Sequence, residues 1–172
     1  VQTYILYNEI NQARHCAFLS CKKPKVNLLY FAVSKFLVTT GYPLTQASQV
    51  EVIDLDNPSK TCILSTNFPY EVFAAVGGFT SSGPMICSGN YNGNYEIGDC
   101  YSLRKNGQFI KISTMNTPRN TASSIVTKDG NLMISGGYER KDFGSLTDTE
   151  IINVRESKIE AGFVLPKGIS SH

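Results

Sequence analysis

The chain repeats itself about every 48 residues, and a period of that length admits few architectures. Pro24, Pro69, Pro118 and Pro166 fall 45, 49 and 48 residues apart, and Gly41, Gly89 and Gly136 fall 48 and 47 apart. Between these markers one order of signals recurs: an apolar stretch, a tight turn, a second apolar stretch, a glycine, a polar loop and two further apolar stretches. The stretches are short and rich in Val, Ile, Leu, Phe and Tyr, which suits half-buried strands. No segment sustains an apolar period of about 3.6 residues, so almost no helix is expected. Four short strands per repeat at this spacing predict the blades of a β-propeller. One blade cannot bury both of its faces alone, so blades must stack around an axis.

The third copy is the clearest. Met115–Arg119 leads to a strand over Ala122–Val126, an Asp129-Gly130 turn, a strand over Leu132–Ser135, and Gly136-Gly137-Tyr138. The second runs from Asn67–Tyr70 through Val72–Gly77, a Ser82-Gly83 turn and Met85–Ser88 to Gly89-Asn90-Tyr91. The first runs from Lys23–Lys25 through Val26–Val33 and Leu37–Thr40 to Gly41-Tyr42. Third strands are expected at Val50–Leu55, Asp99–Leu103 and Thr149–Val154, and fourth strands at Cys62–Ser65, Phe109–Ser113 and Ile159–Val164. Asp-Gly and Ser-Gly suit hairpin turns because Gly tolerates positive φ. Gly77-Gly78, followed by no helix-opening pattern, reads as another turn. Tyr4–Asn8 and Cys16–Leu19 align with third and fourth strands. The expected organisation is therefore residues 1–22 as the last strands of a preceding blade, 23–66, 67–114 and 115–165 as three blades, and 166–172 as the start of another. This is an all-β chain of four-stranded antiparallel blades in an incomplete ring.

Composition narrows the function. The net charge of +2 is scattered, and its one basic cluster, Lys22, Lys23 and Lys25, reads as a solvated loop rather than a nucleic-acid patch. The longest apolar run falls well short of the roughly 18 residues of a membrane span. Val1 is not followed by a basic segment and an apolar core, so no signal peptide is expected within these residues. His15, Cys16 and Cys21 lack zinc-knuckle spacing and a fourth ligand, so no metal is expected. No His-Glu-x-x-His, Gly-x-Ser-x-Gly or phosphate-binding loop occurs, so neither catalysis nor a cofactor is expected. Five cysteines are an odd number, leaving at least one outside any pair within the chain. Cys87 and Cys100 fall on neighbouring antiparallel strands of one blade. Bonded, they would imply an extracellular protein; as buried thiols, they would imply a cytoplasmic one.

The stretch from Met115-Asn116-Thr117-Pro118-Arg119 through Gly136-Gly137-Tyr138 to Glu150–Val154 resembles the kelch repeat. Asn90-Tyr91-Asn92-Gly93-Asn94-Tyr95 is similar to the tyrosine- and glycine-rich loop of kelch blades. The family's fourth-strand Trp is absent, and Phe109 stands in its place in the second copy. The resemblance implies a non-enzymatic platform that binds a protein through loops on one face. Here those loops carry Tyr42, Tyr91, Tyr95, Arg119, Tyr138, Arg140, Lys141 and Phe143. Tyr and Arg at a loop rim combine large contact area with a polar end. Tyr138 could equally pack inside its blade, and Arg119 could be structural. The copper-dependent kelch enzyme needs histidines this chain lacks. Alternatives are the substrate-recognition part of a BTB-kelch ubiquitin-ligase adaptor, or a secreted, disulfide-containing propeller that binds glycan or matrix. An incomplete ring also leaves blade faces open, so closure by missing blades or a second copy is expected.

Overall fold

A computed structural model of the chain describes residues 3–6, 35–39, 48–54, 59, 62–92, 95–104, 106–141 and 144–170. Every named element among them is a strand, and no helix there is long and apolar enough to cross a membrane. The first sheet contains β1 (Thr3–Leu6), β2 (Lys35–Thr39), β3 (Gln49–Asp54) and β4 (Cys62–Asn67), in that order and antiparallel throughout. After the short β5 (Val72–Phe73), the second sheet begins with β6 (Val76–Thr80) and β7 (Gly83–Cys87). The chain detours through β8 (Asn90–Tyr91) and β9 (Tyr95–Glu96), then completes that sheet with β10 (Asp99–Leu103) and β11 (Phe109–Thr114). The third sheet repeats the plan. It is built from β12 (Ser123–Val126) and β13 (Leu132–Ser135), a detour through β14 (Tyr138–Glu139) and β15 (Gly144–Ser145), then β16 (Thr149–Asn153) and β17 (Lys158–Ala161). Strand β6 lies between β1 and β12, so the three sheets meet along their first strands in a propeller-like array.

The core occupies the two gaps between sheets, because alternate residues of each strand point to opposite faces. On β7, Ile86 packs with Val50, Val52, Phe68 and Leu103 toward the first sheet. Its neighbours Met85 and Cys87 pack with Leu132, Ile134 and Ile152 of the third. Gly78 sits in the middle of β6, not in the turn expected of Gly77-Gly78. A Cβ at this position would come within 2.6 Å of Val126 Cγ2, so the glycine lets the third sheet approach. Main-chain bonds reinforce the gap: Ser81 N donates to Gly130 O at 2.9 Å, joining hairpin tips of adjacent sheets. Ser124 Oγ donates to Gly77 O at 2.9 Å.

Two strands lie elsewhere than expected. The place beside β2 is taken by Thr3–Leu6, whereas Val26–Val33 falls outside the described residues. Both segments are apolar and extended in pattern, so periodicity alone does not choose between them. The first strand of the second sheet is Val76–Thr80 rather than Val72–Gly77, because the turn at Ser81-Ser82 carries pairing as far as Thr80↔Gly83.

Backbone conformation follows the repeat more closely than residue type does. Ala74 (φ 55°) and Thr121 (φ 49°) are 47 residues apart, and both are left-handed. So are Ser88 (φ 69°) and Gly136 (φ 62°), then Gly89 (φ 113°) and Gly137 (φ 102°). Gly89 therefore corresponds to Gly137, one position from the match suggested by sequence, and Ser88 occupies a glycine's place. The prolines are not equivalent either. One latch recurs at Phe68 N→Ser48 O, Met115 N→Gly98 O and Leu165 N→Thr147 O. It aligns Phe68 with Met115, and so places Glu71, not Pro69, opposite Pro118.

Cys87 and Cys100 face each other in register on β7 and β10 and form a disulfide. Both are fully buried in the gap beneath the third sheet. Closing a loop of 13 residues of sequence separation restricts the unfolded chain. The paired Cys87→Ala, Cys100→Ala variant should lose about 3 kcal/mol of stability in denaturant titration, and reductant should lower the Tm of the natural chain but not of the variant.

Candidate functional site

In antiparallel sheets of this order, the connections entering the first strands, leaving the second strands and entering the third strands gather at one end. The two detours are ordered there rather than loose. Strand β5 pairs with β8, which pairs with β9, making a three-stranded ribbon. Strands β14 and β15 pair likewise, and Asn120 bridges to Tyr138. Two-residue strands carry no alternation, which is why sequence shows these segments only as polar loops.

An aromatic stack runs outward through this end. Phe68, 2% exposed, meets Phe109 at 5.2 Å and Tyr101 at 5.6 Å between ring centroids. Tyr70 follows against Phe68 at 6.3 Å, Tyr91 against Tyr70 at 5.8 Å, and Tyr95 against Tyr91 at 5.4 Å. Tyr95 ends the stack 54% exposed. Most of these pairs are edge-on, the geometry favoured by ring quadrupoles.

Beside Tyr95, Glu96 joins adjacent repeats. Its Oε1 accepts from Asn120 Nδ2 at 2.7 Å and Asn90 Nδ2 at 3.4 Å, and its Oε2 accepts from the Arg140 backbone N–H at 3.3 Å. The turn bearing exposed Arg140 and Lys141 is thereby held against the second repeat's ribbon. Tyr138, half-buried, lies in the adjoining ribbon. Of the residues expected to bind a partner, the structure thus gathers Tyr91, Tyr95, Tyr138, Arg140 and Lys141 at one end; Tyr42 and Phe143 lie outside the described residues. Sequence reading missed Tyr70, Glu96 and Asn120. The sole local signal was Tyr70 beside Pro69 in a connection.

Arg119 is a correction to that set: it is fully buried, not on the rim. Its five N–H donors meet five acceptors. Nε reaches Thr117 O at 3.1 Å, while Nη1 reaches Gly136 O at 2.8 Å and Asp148 O at 3.2 Å. Nη2 reaches Asp148 Oδ2 at 2.5 Å and Glu150 Oε1 at 2.7 Å. Glu150 also accepts the backbone N–H groups of Asn116 and Thr117 at 2.8 and 3.0 Å. The guanidinium therefore pins the connection between the second and third sheets to β16.

Asp99 anchors the same end of the second sheet. It accepts from Tyr70 OH at 3.0 Å and Thr114 Oγ1 at 2.9 Å, and pairs with Lys111 Nζ at 2.8 Å. Burial pushes its carboxyl up, but the Lys111, Thr114 and Tyr70 donors outweigh burial and hold it below the ordinary value. A hydrogen bond with Tyr101, then burial, then Asp99 push the Tyr70 phenol upward.

Truncating Arg119 leaves the buried Glu150 carboxylate without its countercharge, so Arg119→Met should cost about 3–5 kcal/mol in denaturant titration. Adding Glu150→Gln should recover part of that loss. Since the folded pKa of Asp99 is depressed, its contribution is present above its unfolded pKa of about 3.9 and fades as pH falls through the folded value. Asp99→Asn should therefore lower Tm at pH 7 and flatten the fall of Tm below about pH 4.

No family model matches the sequence, and no curated protein matches it. The fold is shared nonetheless. The solved structure of YjhT superposes with a TM-score of 0.64 at 10% identity, over 79% of this chain and 50% of that one. The chain thus spans about half the length of that structure. At such low identity the likeness carries the fold alone. That fold is all-β, made of antiparallel, mostly four-stranded sheets in a propeller-like array, not closed into a barrel.

Proposed function

We propose that this chain carries blades of a kelch-type propeller and acts as a non-enzymatic scaffold that binds a protein partner at the ribbon end of its sheets. The kelch assignment is supported by the repeat of about 48 residues and by Gly136-Gly137-Tyr138 with its left-handed glycines. The binding role rests on one observation. Tyr95 is 54% exposed, yet it is backed by a stack of rings reaching Phe68 in the core. A large amphipathic ring on a rigid support loses little freedom when it is buried by a partner, which is what a binding hot spot requires. Arg140 and Lys141 supply charge beside it.

A photo-crosslinking residue at position 95 or 141 should capture a partner, and one at Lys128 in the opposite hairpin should not. Tyr95→Ala should weaken binding by about tenfold or more while leaving Tm unchanged. Equal crosslinking from both ends would refute the assignment of the face.

The Cys87–Cys100 disulfide favours a second reading, a secreted propeller that binds glycan or matrix, because such bonds persist in oxidising compartments. Protein alkylated in denaturant at lysis, where buried thiols also react, should then leave Cys87 and Cys100 unlabelled. Labelling of both in cell-derived protein would remove this reading.

A further inference from the structure

The face of the third sheet turned away from the second carries an apolar row. Ile125 pairs with Met133, and Met133 with Ile151, so the three stand side by side. Ile125 is 59% exposed and the other two are half-buried. The second sheet bears the equivalent row one repeat earlier: Gly78 pairs with Met85, and Met85 with Ser102. There Met85 is fully buried, in a cluster completed by Leu132, Ile134 and Ile152 of the third sheet. Met85 and Met133 are thus equivalent side chains, one sealed under a neighbouring sheet and one only half-buried.

The chain path repeats as well. Gly89 N donates to Arg119 O, and Gly137 N donates to Ile169 O at 2.8 Å, so Ile169 holds the station of Arg119. Leu165 N→Thr147 O and Ile169 N→Leu146 O lay residues 165–169 along the third sheet's ribbon end. From the station of Arg119 the chain enters β12, the strand that sets the third sheet upon the second.

We propose that Ile125, Met133 and Ile151 form a docking surface for a further four-stranded sheet of the same repeat, entered along the path of residues 162–170. It continues an interface already present between the second and third sheets. The seat is not an identical copy. Ile125 stands where Gly78 admits Val126 and Leu132, so the incoming sheet presents smaller side chains opposite Ile125. An uncovered row of this kind is otherwise costly in water and prone to association.

The chain's three methionines report on this directly. Met85 and Met115 are buried and Met133 is not. Under mild peroxide, the 172-residue chain alone should form sulfoxide first at Met133. In the protein purified from its own cells, oxidation of Met133 should be slowed by about tenfold or more, to match Met85. Equal Met133 rates in the two samples would overturn the proposal. So would protection in the 172-residue chain with sedimentation at twice the monomer mass, because the cover would then be a second copy. Ile125→Lys should lower the Tm of the cell-derived protein and leave that of the 172-residue chain unchanged; an unaffected cell-derived protein also refutes docking.

Discussion

Strands β7 and β10 commit alternate side chains to opposite neighbours, Met85 and Cys87 to one sheet and Ile86 and Leu103 to the other, so the middle sheet requires a sheet on each side. Dispersion and apolar burial across those two gaps hold the sheets together, since the main-chain ladders run within sheets rather than between them. Glycine at position 78 sets how closely the second gap can shut. The few polar links between sheets, such as Ser124 to Gly77, set position more than they supply energy.

Arg119 departs from the repeat. By hydrogen-bonding station its equivalents are Val72 and Ile169, both apolar, so among the described residues the buried ion pair with Glu150 and Asp148 belongs to one junction. A fully satisfied buried charge adds little net stability over apolar packing, but it penalises any arrangement that separates its partners. It thereby singles out the register in which the connection after β11 meets β16.

The strand order of the second and third sheets was legible in the sequence, as was the placement of Cys87 and Cys100 on neighbouring strands, though not the bond between them. Turn chemistry at Asp129-Gly130 and the short apolar runs of β7 and β13 are strong local signals. The ribbons were not legible, because Asn90–Tyr91 and Tyr138–Glu139 are too short to show a period. Ser88 in a left-handed conformation hid the true alignment of Gly89 with Gly137, since a side chain there breaks the glycine pattern without breaking the backbone one. Arg119 misled for a different reason. Its residue type suggests a rim anchor, and only the carboxylates of Asp148 and Glu150, about 30 residues away, reveal that it is buried.

The position of the Cys87–Cys100 bond ties its chemistry to the packing of the third sheet. Both sulfurs lie in the seam that the third sheet closes, with no exposed surface once it has closed. An oxidant or a thiol exchange partner can reach them only while that seam is open. The crosslink therefore forms while the third sheet stands away from that seam, and the closed stack shields it from exchange. Burial in that seam thus makes the redox state of the pair a property of the whole stack, exchangeable only when the third sheet is lifted away.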